Sequence, residues 1–260
     1  MNLAWLWLCA VLMTPVADDP DLTKLFHEKG VSGVMIISSL DGNIEYTHNA
    51  AAADIRRPPA STFKIPNTLM ALDAGAVKDA EEIIPWDGRQ YSIPAWNKDQ
   101  NLRTALTDSC VWAYQVLARR IGAERYSAYA ARLNYGNGDF GPVVDTFWLE
   151  GNLRISPREQ VAFIKRLVRR ELPFRDNHVD LLRDILVRER TRRYTLRAKT
   201  GSTPRFPEHY GWWVGWVRTG ARVWVFATCI RIHDPARELP LRESLTRAAL
   251  KAKGIISDEP

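Results

Sequence analysis

The chain has 260 residues, of which 46% are hydrophobic and 25% charged, with glycine and proline at 15 each. That balance excludes a mainly disordered, collagen-like or low-complexity protein and fits one large domain or two sharing a boundary. Lys and Arg number 36 against 30 Asp and Glu, a formal charge of +6. The bases are interleaved with acids, as in Arg188-Glu189-Arg190, so no nucleic-acid partner is expected, while a mildly positive field favours small anionic substrates.

Residues 1–17 carry no charged side chain, have an apolar centre from Leu3 to Met13, and place Ala17 before Asp18-Asp19. This is the pattern of a secretory signal peptide cleaved near Ala17. No later apolar run reaches the roughly 18 residues of a spanning helix, so no membrane insertion is expected once the leader is removed. Cys110 and Cys229 then remain, both in apolar contexts, and buried free thiols are the expectation. Residues 31–39 and 44–47 read as strands joined at Asp41-Gly42. Pro58 and Pro59 interrupt the chain, and helical periodicity follows over 62–74, ending at Gly75 with Pro66 in the first turns.

The middle is mostly helical, over 101–107, 111–121 and 125–133. The Gly- and Asn-rich stretch 134–141 is a loop. Ser156-Pro157-Arg158-Glu159 opens a further helix with Ser as N-cap, Pro at the first position and Glu at the third. The basic stretch 165–197 reads mostly as solvated helix faces. Residues 194–199 read as a strand, 210–217 and 222–232 as a hairpin around Arg218-Thr219-Gly220-Ala221, and 241–252 as a closing helix. The expected fold is α/β in the α+β sense. An antiparallel sheet built from both chain ends (18–57 and 190–260) is flanked by helices, with an inserted helical domain (58–189) and a site at the junction.

Ser61-Thr62-Phe63-Lys64 carries the first chemical signal. Serine and lysine three apart at a helix start share one face, and the helix end favours an attacking alkoxide. A desolvated lysine can serve as the base for that serine. Lys199-Thr200-Gly201, at a strand end, is the second, with cationic and hydroxyl groups suited to a carboxylate and a glycine that permits close approach. Each is common by chance. Together and in this order they resemble the serine β-lactamases and penicillin-binding proteins. Ser109-Cys110-Val111, Tyr135-Gly136-Asn137 and Trp148-Leu149-Glu150-Gly151 are similar to the class D enzymes, the oxacillinases. Trp212-Trp213-Val214-Gly215-Trp216 and Leu239-Pro240-Leu241-Arg242 extend the likeness over essentially the whole mature chain.

The resemblance implies hydrolysis of penicillin-type β-lactams through an acyl-enzyme on Ser61, giving antibiotic resistance from the periplasm. It implies that Lys64 is an N6-carboxylysine made with CO2 or bicarbonate, acting as general base without any separate cofactor. An ordinary lysine, with a pKa of about 10.4, offers little free amine at neutral pH. Burial against Phe63, Val111, Trp148 and Leu149 would supply it, and the Trp148 indole N–H is a donor suited to the resulting anion. By the same resemblance Ser109 relays a proton to the leaving nitrogen and Val111 forms an apolar wall. Lys199, Thr200 and Arg242 bind the substrate carboxylate, Gly201 lets it approach, and the N–H groups of Ser61 and Ser202 form the oxyanion hole.

Ser202 departs from the large residue that many relatives carry after Lys-Thr-Gly. Glu150 as a deacylating base would be redundant. Five scattered histidines, His27, His48, His178, His209 and His233, suggest no metal site. Two other functions share these motifs: a β-lactam-sensing receptor domain that keeps its acyl adduct, and a cell-wall transpeptidase or carboxypeptidase. Ser109-Cys110-Val111 and Trp148 argue against the latter, and the removable leader against the former. The substrate spectrum depends on the loops around Trp96, Trp112 and 204–210. The assembly is expected to be a monomer or homodimer.

Overall fold

A computed structural model describes residues 17–257, so the expected leader, apart from Ala17, lies outside the described residues. The first helix, α1 (Pro20–Lys29), starts where the Asp19 carboxylate accepts the N–H groups of Asp21 and Leu22, and stops at Gly30 in the left-handed region. The Asp19-Pro20 pair is the local start signal of this helix. Strands β1 (Gly33–Ser39) and β2 (Glu45–His48) form the expected hairpin.

Helices α2 (Lys64–Asp73), α3 (Leu102–Thr107), α4 (Val111–Ile121), α5 (Ala123–Leu133), α6 (Pro157–Arg169) and α7 (Asp176–Ile185) make up the middle of the chain. Helix α6 begins with a capping box in which the Ser156 hydroxyl accepts the Glu159 N–H while the Glu159 carboxylate accepts the Ser156 N–H. Strands β3 (Val187–Arg190), β4 (Tyr194–Ser202), β5 (Tyr210–Thr219) and β6 (Arg222–Arg231) follow, then α8 (Pro235–Glu238) and α9 (Leu241–Ala252). Residues 187–190 fall within the basic stretch read as helix faces but pair as an edge strand. Four residues, three of them charged, offer too short a pattern to reveal it.

The sheet is antiparallel throughout, in the order β2-β1-β6-β5-β4-β3. The pairing of β1 with β6, with Val34 opposite Cys229, brings the two ends of the chain together. Both faces are covered. Val34 and Ile36 of β1 and Trp212, Val214 and Trp216 of β5 point into a large core shared with α2, α4, α5, α6 and α7. The alternate residues Met35, Ile37, Trp213 and Val217 pack beneath Leu22 and Phe26 of α1 and Leu245 and Ala249 of α9. This period-two division is why β1 and β5 read as nearly continuous apolar runs. Among the described residues no helix is long and apolar enough to cross a membrane, and Cys110 and Cys229 are both free and buried.

Candidate active site

Ser61 sits in a short 3-10 turn, Ala60–Phe63, that runs directly into α2. Ala60 holds a φ of 47°, a left-handed conformation that an L side chain adopts only under constraint. The constraint is visible. Thr62 Oγ1 donates to Pro59 O at 2.7 Å, Gln160 Nε2 donates to Thr62 Oγ1 at 2.8 Å, and Trp212 Nε1 donates to Pro58 O at 2.9 Å. Gly201 on β4 completes the clamp, since a Cβ there would lie 3.0 Å from Pro59 O and 3.1 Å from the Thr62 methyl. Gly201 also lines the catalytic cavity, and its carbonyl accepts Arg242 Nη1 at 2.8 Å.

Lys64, the first residue of α2, is fully buried with Nζ 2.8 Å from Ser61 Oγ. Burial pushes its pKa down to about 7. The face of Tyr114 lies 5.2 Å from Nζ, and the Tyr114 hydroxyl is tied to Thr68. Trp148 is also fully buried, stacked on Phe63 at 5.7 Å. Its indole Nε1 has no hydrogen-bond partner among the described residues. A buried, unpaired N–H costs about 1–3 kcal/mol, so this donor calls for an acceptor. A carboxyl group on Lys64 therefore fits the residues present: a desolvated amine to receive it and an orphaned donor in the same apolar region to hold it.

Ser109, like Ala60, lies in the left-handed region, with φ 56°. Its hydroxyl accepts Lys199 Nζ at 2.9 Å. Lys199 is fully buried and also donates to Thr200 O and Thr200 Oγ1. Burial drives its pKa well down, with Lys64, Arg188 and Arg242 adding repulsion. Lys199 thus stands behind the wall of the site, on Ser109, and does not line the cavity.

That cavity, about 350 Å³, is lined by Ser61, Ser109, Val111, Thr200, Gly201, Ser202 and Arg242 of the expected residues. Ile93, Trp96, Asp108, Leu149, Pro204 and Arg205 complete it. Ile93 and Asp108 carry no local sequence signal that marks them as wall residues, whereas Arg205 falls in the 204–210 loop expected to shape the site. Trp112 stays beneath the surface and donates to Trp96 O, so it supports the wall rather than forming it. Arg242 lies in the first turn of α9, and burial lowers its pKa to about 10, which leaves it a cation at neutral pH. The neighbouring Glu243 is engaged by Arg247. Glu150 is exposed and pairs with Arg205 across the cavity mouth, which is no position for a base at Ser61.

Tyr135-Gly136-Asn137 is a structural clamp. A Cβ on Gly136 would fall 2.0 Å from Arg154 O. Asn137 donates to Asn152 O and accepts the Arg154 N–H, holding closed the loop that carries Trp148.

The profile of the penicillin binding protein transpeptidase domain matches residues 32–251. The chain is 41% identical over 231 residues to beta-lactamase OXA-20 of Pseudomonas aeruginosa, covering 88% of this chain and 85% of the relative. It is 39% identical to OXA-48 of Klebsiella pneumoniae, covering 89% of this chain and 87% of the relative. The chain belongs to the class D β-lactamases. Solved class D structures superpose closely. YbXI from Nostoc gives a TM-score of 0.88 at 42% identity, over 90% of this chain and 99% of that one. FUS-1 (OXA-85) from Fusobacterium nucleatum subsp. polymorphum gives 0.89 at 36% identity, over 93% and 100%.

As a class D β-lactamase the protein is a hydrolase acting on the β-lactam amide. Ser202 shares a hydrogen bond with His209 Nε2 at 2.7 Å, so the neck of the β4–β5 loop is tied by two polar side chains.

Proposed function

We propose that this class D β-lactamase hydrolyses penicillin-type antibiotics by acylation and deacylation of Ser61, with Lys64 N-carboxylated, and that it confers resistance after export to the periplasm. The observation that carries the reading is a desolvated Lys64 amine 2.8 Å from the nucleophile, with the unpartnered indole N–H of Trp148 belonging to the ring stacked on the adjacent Phe63. When present, the carboxyl group supplies an anionic base beside Ser61. Ser61 Oγ attacks the lactam carbonyl and gives up its proton on the side where Lys64 lies.

The N–H groups of Ser61 and Ser202 receive the developing oxyanion. Ser109 delivers a proton to the departing nitrogen, and Lys199 replenishes it through their 2.9 Å hydrogen bond. Arg242, Thr200 and Ser202 face the cavity and meet the substrate carboxylate, while Lys199 contributes to that binding only from behind.

The deciding experiment is hydrolysis of a penicillin in large excess over enzyme, with and without added bicarbonate. Many turnovers, faster with bicarbonate, are expected. One stoichiometric burst that stops in both conditions would show a sensor-like or transpeptidase-like adduct instead.

The pH dependence follows from Lys64. Its ordinary pKa of 10.5 is lowered to about 7, so the free amine that reacts with CO2 prevails above that pH and is lost as pH falls through it. Turnover should drop on the acid side of about 7 and respond less to bicarbonate there. A rate that stays flat through this window would remove Lys64 carboxylation from the scheme.

Arg242→Ala should raise KM for carboxylated substrates about tenfold or more, with kcat little changed. An unchanged KM would take Arg242 out of the substrate site.

A further inference from the structure

A second cavity of about 320 Å³ lies beside the catalytic one. The two share a loop without sharing a lining residue: Pro204 and Arg205 face the catalytic cavity, while Phe206, Pro207 and Glu208 face the other. Arg57, four residues before the nucleophile, and Arg154 complete its walls, with Tyr210. Arg57 is fixed by a backbone pair with Ile155 at 2.9 Å in both directions. Its guanidinium lies over the Tyr210 ring at 5.1 Å, and that of Arg154 over Phe206 at 4.9 Å. Stacking of this kind holds a guanidinium plane in place and leaves its edge free for in-plane donation.

The nearest charges are partly committed to other partners, and Glu208 and Asp139 act on Arg57 and Arg154 only from beyond ion-pair distance. Arg56 is paired with Glu159, and Glu208 is held by Arg231 and the Tyr210 hydroxyl. Among the described residues neither Arg57 nor Arg154 has a carboxylate within ion-pair distance. Their side-chain donors reach carbonyl oxygens, Ile55 O for Arg57 and Gly151 O and Leu153 O for Arg154, and Arg57 also reaches the Tyr210 hydroxyl. Arg57 Nε is buried with no acceptor at all. Two oriented cations, one orphaned donor and an aromatic wall describe a site for an anion with an apolar body.

We propose that this cavity binds a small organic carboxylate. Its oxygens are held between Arg57 and Arg154, and its apolar part lies against Phe206, Pro207 and Tyr210. Occupancy would tie the 206–210 segment to Arg57 and Arg154 and so restrain the loop whose other side lines the catalytic cavity. The site is independent of the chemistry assigned to Lys64.

The test is a titration of the isotope-labelled enzyme with benzoate at constant ionic strength, followed by amide and arginine side-chain NMR, with inorganic phosphate in parallel. Saturable shifts are expected at Arg57 Nε–H and at the N–H groups of Phe206 and Tyr210. Arg57→Gln should weaken them about tenfold or more. Arg242→Ala should leave them intact while removing any shifts from benzoate entering the catalytic cavity. Phe206→Ala, on the loop, should erase the preference for benzoate over phosphate and serves if Arg57→Gln does not fold. Absence of saturation, shifts that survive both Arg57→Gln and Phe206→Ala, or phosphate binding as tightly as benzoate would each overturn the proposal.

Discussion

Lys64→Met should lower kcat for a penicillin by about 10²–10⁴-fold, the usual contribution of a positioned acid–base group, and should abolish any response to bicarbonate. Methionine fills the same slot with an unbranched apolar chain, so the effect isolates the amine from its packing. Stability should move the other way. Lys64 has its pKa lowered from 10.5 to about 7 on folding. The unfolded chain therefore binds more protons across that window, and native stability falls as pH drops from 10.5 toward 7. Removing the group lifts that penalty, so Tm at neutral pH should equal or exceed that of the parent enzyme measured without bicarbonate. Mass spectrometry after mixing with penicillin should show the acyl adduct accumulating on Ser61. Parent-like turnover in Lys64→Met would refute the assignment of the base.

Trp148→Phe is the second large effect. The ring and its stacking on Phe63 are nearly preserved, while the donor with no protein acceptor is removed. A hydrogen bond to a charged group contributes about 1.5–3 kcal/mol, so affinity for the carboxyl group should fall roughly 10- to 150-fold. Deacylation should slow more than acylation, and high bicarbonate should recover part of the rate. A variant that turns over fully without bicarbonate would show that Trp148 only packs. A lower Tm with an unchanged bicarbonate response would say the same.

These two tests also separate what local sequence carries from what it does not. The Ser61–Lys64 contact was legible because residues three apart at a helix start face one another whatever the rest of the chain does. The capping box at Ser156, the Asp41-Gly42 turn and the paired runs at 210–217 and 222–232 were legible for the same reason, since each is a short-range rule of backbone geometry. The order of the motifs pointed to the family. The missed elements have weaker local signals: β3 is four residues long, and α1 shows itself mainly through the Asp19-Pro20 start.

Other features depend on partners far away in the chain. Lys199 stands behind Ser109 rather than in the cavity because β4 and the start of α4 meet there, ninety positions apart in sequence. Gly201 leaves room for the nucleophile's turn because Pro59 and Thr62 fold against it from far away in the chain. Glu150 is occupied by Arg205, and Arg57 and Arg154 come to one cavity only when the β4–β5 loop closes over them. Chain periodicity and capping follow from bonds and sterics within a few residues, so they can be read in order along the sequence. Burial, and with it the depressed pKa of Lys64 and the unsatisfied indole of Trp148, is a property of the packed interior and arises from contacts that no local pattern specifies.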